Sequence, residues 1–462
     1  MKTSLPLSRV LIGLSLGLAS CTCRDRWDPP AGALSEGSVV VLGIDGLDRR
    51  LLERMTAAGA LPTFSRLMRE GLVADISVGQ PILSPRIWTT IASGYAPEVH
   101  GVVDWVRPDG TPFRAGDVAV ERVWDAASAS GKRVLVSGWL MTTPVSEVSG
   151  VMLSDELVLR GSLDMDPDLA PRRDPAVKDG WLAWPEGRLD EAEDWIPGRA
   201  WTQTHPLAYQ LEQYDGLVHP LRRDETHVRS LESLAPTLQP SLSMVYLSGA
   251  DQLSHQYWPF ADPAGVAAMR ADPGLRQRSA QQLDAMHPGK RRVPLSERPT
   301  TAADLEEGGR WVWDYYRYLD TVLVRVLARL SATQSTLIIC SDHGFQVGDQ
   351  PVRLFADHRD PAVLIAWGSR VRARAVAREP VRALDLAPTL YALLGVPAAS
   401  DMPGRVLDDL FQVQAVPPVR TRIRRVAGAQ PGAPTDHPRR EQLEALGYIE
   451  GSGKPIPQPA GR

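Results

Sequence analysis

Three apolar runs, each followed by an aspartate, constrain the fold of this chain more than any other feature. They are VVVLGIDG with Asp45, MVYLSGADQLSH with Asp251 and LIICSDHG with Asp342. Runs of Val, Ile and Leu without polar alternation read as strands buried on both faces, the environment a parallel sheet provides. In open α/β sheets the ligand crevice lies outside the carboxyl ends of the strands. Three such ends can deliver carboxylates to one crevice, two of them with a histidine nearby. The expected fold is therefore α/β, with a mostly parallel central sheet flanked by helices.

Composition supports a large core: 43% of the 462 residues are hydrophobic and 23% charged. That length admits two or three domains, or one elaborated domain. A net charge of −4 gives no overall basic field, so no nucleic-acid-binding surface is indicated. The 39 prolines and 38 glycines point to many turns and long ordered loops.

The N-terminus reads as a targeting segment. Lys2 and Arg9 supply positive charge, and VLIGLSLGL is too short to span a membrane comfortably. Leu18-Ala19-Ser20-Cys21 resembles the bacterial lipobox, in which cleavage before the cysteine is followed by its lipidation. The alternative is an ordinary secretory signal with an incidental Cys21. A multi-chain lipid on Cys21 would hold the protein on a membrane. Thr22, in place of an aspartate, favours the outer membrane facing the periplasm. Residues 1–20 are read as a lipoprotein signal peptide and 21–37 as a tether. Cys23 falls in that tether and Cys340 in a core strand, so the cysteines indicate export and no disulfide scaffold.

Residues 38–411 hold the patterned part of the chain and are read as one domain. LDRRLLERMTAAG and LPTFSRLMREG carry helical periodicity and close on glycine. LVADISV, 132–140, 336–341 and 362–368 read as strands, and 308–330 as a helix. IWTTIASG is expected to be helical from just after Ser84 and Pro85, and VRALDLAPTLYALLG to be a helix ending at Gly395. Periodicity weakens over about 155–235 and 257–308, which read as insertions forming a cap or rim beside the crevice. Disorder is the alternative for 262–305. Residues 412–462 form an Arg/Pro/Gly-rich tail with one short helical piece, EQLEALGYI.

A lone aspartate after a strand usually caps a helix or loop. Here the neighbours point to metal. Asp251 and His255 are four apart and share one face of a helical turn. Asp342 and His343 are adjacent after a buried strand, and His358 falls just before another. Carboxylate with imidazole suits Zn²⁺ and related divalent ions. Ser84 opens a helix, where free N–H groups favour an anion. It reads either as an N-cap or, beside metal ions that lower its pKa, as a nucleophile. Arg86 is either a phosphate contact or a solvated surface arginine. Trp181, Trp184, Trp195 and Trp201 form either an aromatic wall for substrate or a small core of the first insertion.

Taken in order, IDG, SPRIWTTIASGYAPEVHG, GADQLSH, SDHGF and an isolated His before VLIAWG resemble the alkaline phosphatase superfamily. Within it the pattern is most similar to the type I phosphodiesterase/nucleotide pyrophosphatase family. LDLAPTLYALLGVP and MPGRVL are similar to that family's C-terminal core segment. The resemblance covers roughly 38–411 apart from the insertions. It implies an alkaline-phosphatase-like fold with cap-like insertions, two divalent metal ions with Zn²⁺ preferred, and a small phosphoester substrate. One metal would be held by Asp45, Asp342 and His343 with Ser84 bridging, the other by Asp251, His255 and His358. The implied reaction is in-line attack by Ser84 on phosphorus, followed by hydrolysis of the phosphoserine. His100 also matches the pattern and is read as structural.

Two departures narrow the expectation. Nucleotide pyrophosphatases commonly pair a Thr nucleophile with an Asn three residues on; here the positions hold Ser84 and Ile87, which argues against nucleotide substrates. Ser84-Pro85-Arg86 does not fit the C/S-x-P-x-R pattern of sulfatases. The expected function is a membrane-tethered phosphodiesterase. A phosphomonoesterase or an envelope phospho-group transferase is the alternative, and a non-catalytic binding lipoprotein the alternative from another class. The complete ligand set speaks against the last.

Overall fold

Val39–Ile44 (β1), the first apolar run, is buried at every position and lies between the other two. The computed structural model describes residues 34, 37–157, 179–185, 188–212, 218–286, 301–330, 334–348, 356–413 and 416–419. Its further strands are β2 (Leu72–Ser77), β3 (Val134–Ser137), β4 (Gly150–Leu153), β5 (Ala183–Trp184), β6 (Leu242–Leu247) and β7 (Thr336–Cys340). After these come β8 (Gly344–Val347), β9 (Ala356–Arg359), β10 (Ala362–Gly368) and β11 (Val381–Arg382). Among the described residues, nine strands form one sheet in the order β11-β2-β10-β7-β1-β6-β3-β4-β5. β7, β1, β6, β3 and β4 run parallel, with Val41 opposite both Met244 and Ile338. β10 and β5 run antiparallel to their neighbours. β8 and β9 form a separate antiparallel ribbon in which Phe345 faces His358.

Side chains alternate across the central strands, so the sheet has two cores. Val39 and Val41 join Ile87, Trp88 and Ile91 of α1 (Ser84–Ser93) on one face. Val40, Leu42 and Ile44 join the opposite core, which takes in residues of α2 (Val218–Leu238), α3 (Gly249–Ala261) and α4 (Ala302–Leu327). α5 (Leu386–Leu394) packs on the α1 side and ends at Gly395 in a left-handed conformation, φ +66°. Each central strand is thus covered twice, as a parallel sheet requires.

Over their described residues, the weakly patterned stretches are more regular than their sequence suggests. α2 occupies most of the end of the first. Its buried residues include Arg223, Asp224, Glu225, His227 and Ser230 beside Leu221, Val228 and Leu231. Polar residues on the inward side dilute the apolar periodicity that would have announced a helix. The second stretch holds the end of α3, helices Pro263–Ala271 and Pro273–Met286, and the start of α4. Asp262 and Asp272 receive the N–H groups of Ala264 and Gly274, each at 2.8 Å, and each precedes a proline that opens a helix.

The four tryptophans are divided between the faces. Trp195 is buried in the α2–α4 core, with Trp181 and Trp201 packed against it, while Trp184 packs against the α1 core. They therefore line no single wall. Cys340 is buried in β7, whereas Cys21, Cys23 and the EQLEALGYI piece lie outside the described residues. Among the described residues, no helix is long and apolar enough to cross a membrane.

Candidate metal centre

Because β7, β1 and β6 are adjacent and parallel, their carboxyl ends share one edge of the sheet. Asp45 directly follows β1, and Asp342 lies two residues past β7. Asp251 sits in the first turn of α3, entered from β6 through Ser248, and His255 follows one turn on. Ser84 arrives from the other face as the first residue of α1. The N-cap there is Leu83, without a side-chain capping bond. Ser84 is therefore no cap; its hydroxyl donates to Asp45 Oδ1 at 3.4 Å.

The turn after Asp45 depends on Gly46. Its φ is +67°, and a Cβ would come within 2.6 Å of the Phe345 ring and 3.0 Å of Asp251 Cα. Asp48 then ties this loop to the one after β7, accepting from Leu51 N at 2.8 Å and Phe345 N at 3.1 Å.

Two triads result. The ligand atoms of Asp45, Asp342 and His343 all lie within 4.8 Å of one another, as do those of Asp251, His255 and His358. In the first, His343 Nε2 is 3.2 Å from Asp45 Oδ1 and 3.6 Å from Asp342 Oδ2. In the second, Asp251 Oδ1 is 3.2 Å from His255 Nε2 and 3.8 Å from His358 Nε2. Asp251 Oδ1 is also 3.6 Å from His343 Nε2, and the His343 and His358 rings stack at 3.7 Å. The triads thus adjoin.

Backbone carbonyls orient two of the histidines. Nδ1 of His343 is 3.1 Å from Gly344 O, and Nδ1 of His358 is 3.1 Å from Ile82 O. With each Nδ1 turned to its carbonyl, Nε2 is the atom left facing the centre, where it would offer its lone pair to a bound cation, the arrangement typical of a metal-bound imidazole. Asp342 Oδ2 and His343 Nε2 are buried without a hydrogen-bond partner. Buried polar atoms without partners are costly, and a cation between them would satisfy both. The residues fit a pair of divalent ions.

Electrostatics agree. Burial, reinforced by the Asp45 charge, holds the Asp342 carboxyl well above its usual range. Burial would also raise Asp45, but the close contact and charge of His343 outweigh it and keep it below. His343 is driven up to about 10 because the charge of Asp342 and contact with Asp45 overcome its burial. These carboxylates demand positive charge between them.

Arg86, in the first turn of α1, has a mostly buried side chain whose Nη2 is 3.9 Å from Glu98 Oε1. His100 is buried; Val102 N donates to its Nδ1 at 3.2 Å, so its Nε2–H points to Thr90 Oγ1 at 3.1 Å. It thereby fastens the segment after α1 to that helix. Sequence reasoning passed over Tyr246, whose buried hydroxyl donates to Asp45 Oδ2. It also passed over Asp224, which accepts from Ser248 N and Gly249 N at 2.9 and 3.0 Å. The Tyr246 signal was a polar-tipped aromatic one residue before the end of a buried strand. For Asp224 it was the charged run Arg222-Arg223-Asp224-Glu225 flanked by Leu221 and Val228.

The family described as type I phosphodiesterase / nucleotide pyrophosphatase matches residues 39–393. No curated relative matches the sequence. Among solved structures, the chain is similar to BT1596, a 2-O GAG sulfatase, with 14% identity and a TM-score of 0.45, covering 81% of this chain and 73% of that one. It is also similar to phosphonoacetate hydrolase from Sinorhizobium meliloti 1021, in complex with phosphonoformate. There the identity is 14% and the TM-score 0.38, with 70% of this chain and 58% of that one covered.

Proposed function

Because the chain belongs to the type I phosphodiesterase / nucleotide pyrophosphatase family of phosphoester hydrolases, we propose that it is a two-metal phosphodiesterase acting through a phosphoserine at Ser84. The observation that carries this reading is the pair of adjoining triads, with the Ser84 hydroxyl 3.4 Å from Asp45 Oδ1. Two divalent ions, Zn²⁺ by ligand chemistry, would supply the positive charge that lowers the serine pKa and offsets charge developing on phosphate oxygens.

The remaining work falls to the chain. Asp45, ionised and buried, orients the Ser84 hydroxyl through Oδ1. Ser84 Oγ forms a bond to phosphorus as the bond to the leaving group breaks, and water then cleaves the phosphoserine to regenerate the hydroxyl. Arg86, two residues on, is proposed to hold a non-bridging phosphate oxygen, which an arginine fork suits. Ile87 offers no polar group where nucleotide-cleaving relatives commonly carry an asparagine, which argues for a small phosphodiester other than a nucleotide.

The same reading puts the enzyme in the cell envelope, exported and lipid-anchored through Cys21, with the outer membrane facing the periplasm as its place. Its support is the Leu18-Ala19-Ser20-Cys21 sequence. Cys21→Ser should move the protein from the membrane to the soluble fraction, and an unchanged distribution would refute the anchor.

Turnover of a chromogenic phosphodiester and of the matching monoester tests the reaction class. Diester hydrolysis should be abolished by a chelator and restored by Zn²⁺. A clear monoester preference would replace the diesterase reading with a phosphomonoesterase.

A further inference from the structure

α3 carries two ligands of the second triad, yet the groups that hold its first turn come from elsewhere in the chain. The first N–H groups of a helix have no partner within it and are usually served by a nearby cap. Here Ser248 N donates to Asp224 Oδ1 at 2.9 Å and Gly249 N to Asp224 Oδ2 at 3.0 Å. Asp224 belongs to α2, and its side chain is fully buried. Tyr315, on α4, donates its hydroxyl to Asp224 Oδ2 at 2.5 Å. The fit is close: a Cβ at Gly249 would fall 1.9 Å from that hydroxyl. Arg223 Nη2 and Gln252 Nε2 donate to Ser248 Oγ at 2.5 and 3.0 Å, completing the clamp.

We infer that Asp224, locked by Tyr315, is a positioning residue for the second triad, fixing where α3 begins and hence where Asp251 and His255 present their ligand atoms. This rests on the two-metal reading above. Asp251 lies two residues past Gly249, and His255 one turn further. A shift or rotation of the first turn moves both relative to His358, which sits on β9 and is held separately by Ile82 O. Burial raises the Asp224 carboxyl to about 6, against the opposing effects of Tyr315 and Arg223. At neutral pH it is the two-oxygen carboxylate that receives these three donors, with the Ser248 hydroxyl a fourth at 3.4 Å. An asparagine offers one acceptor and sets an N–H against one of them.

The test is a Zn²⁺ titration of metal-stripped protein against a chromophoric chelator, for wild type, Asp224→Asn and Tyr315→Phe, with folding checked by circular dichroism. Wild type should take up two ions per chain. Asp224→Asn should keep one site essentially unchanged and weaken the other by roughly 10-fold, the lower end of the loss when a metal ligand's own hydrogen-bond partner is removed. Tyr315→Phe should weaken the same site by less. A purely structural role for Asp224 would lower Tm and leave both affinities intact, and that result would overturn the inference. If Asp224→Asn does not fold, Tyr315→Phe decides the matter by the same criterion. Wild type taking up no Zn²⁺ would remove the metal reading itself, and the inference with it.

Discussion

Tyr246 gives its buried hydroxyl to Asp45 Oδ2, and so leaves Oδ1 to face Ser84 Oγ at 3.4 Å and His343 Nε2 at 3.2 Å. Burial and the Asp45 charge keep the phenol well above its ordinary pKa, so it remains a donor. Tyr246→Phe should keep the edge-to-face packing on Trp88 and leave one carboxylate oxygen without its partner. We expect a loss of about 1.5–3 kcal/mol in metal-free stability by denaturant unfolding. Zn²⁺ affinity at the Asp45 triad should fall roughly 10-fold. Unchanged stability and affinity would show that Tyr246 merely fills space.

Gly46→Ala tests the turn that brings two triads together. The left-handed backbone alone costs about 1–2 kcal/mol for an L-residue. The added methyl also meets the Phe345 ring at 2.6 Å, and Phe345 is itself fully buried. Unfolding free energy should fall by more than the backbone term, and bound Zn²⁺ should fall with it. A stable variant with full metal content would contradict the close approach of this loop to Asp251.

How far the sequence revealed this arrangement depended on what each residue does. β1, β6 and β7 were legible because buried parallel strands need continuous apolar runs, and their ends located Asp45, Asp251 and Asp342. The i,i+4 spacing of Asp251 and His255 survived intact as one face of α3. The role of Ser84 was ambiguous, since an N-cap and the residue after it look alike in sequence; the backbone places the cap at Leu83. α2 was illegible because its inward side carries Arg223, Asp224 and His227, whose partners come from β3, from Ser248 just past β6 and from α4. Long-range polar pairing has no local period.

Two buried histidines should make the fold acid-sensitive. Burial, aided by the Arg223 charge, drives His227 down to about 3, and burial drives His100 to about 4. Between those values and about 6.5 the unfolded chain binds protons that the native state refuses. Their stabilising contribution is therefore complete above about pH 6.5 and is lost as pH falls, at up to about 1.4 kcal/mol per pH unit for each histidine. Urea unfolding from pH 7 to 5 should show that slope. His227→Gln should flatten it by one histidine's share, and parallel curves for the two proteins would refute the assignment.

The tryptophans can be tested as core. Trp195→Ala should cost about 3–5 kcal/mol in unfolding free energy, the usual loss on truncating a buried aromatic, while the diester KM stays essentially unchanged. A raised KM with little loss of stability would make Trp195 part of a substrate wall instead.

The most direct measurement takes metal-loaded wild type and Ser84→Ala, counts the ions in each, and follows hydrolysis of a chromogenic phosphodiester by the same samples. Ser84→Ala should retain two ions per chain and lose at least about 10³-fold in kcat, as removal of a catalytic nucleophile does. Full turnover by Ser84→Ala with both ions present would contradict a phosphoserine mechanism at this site.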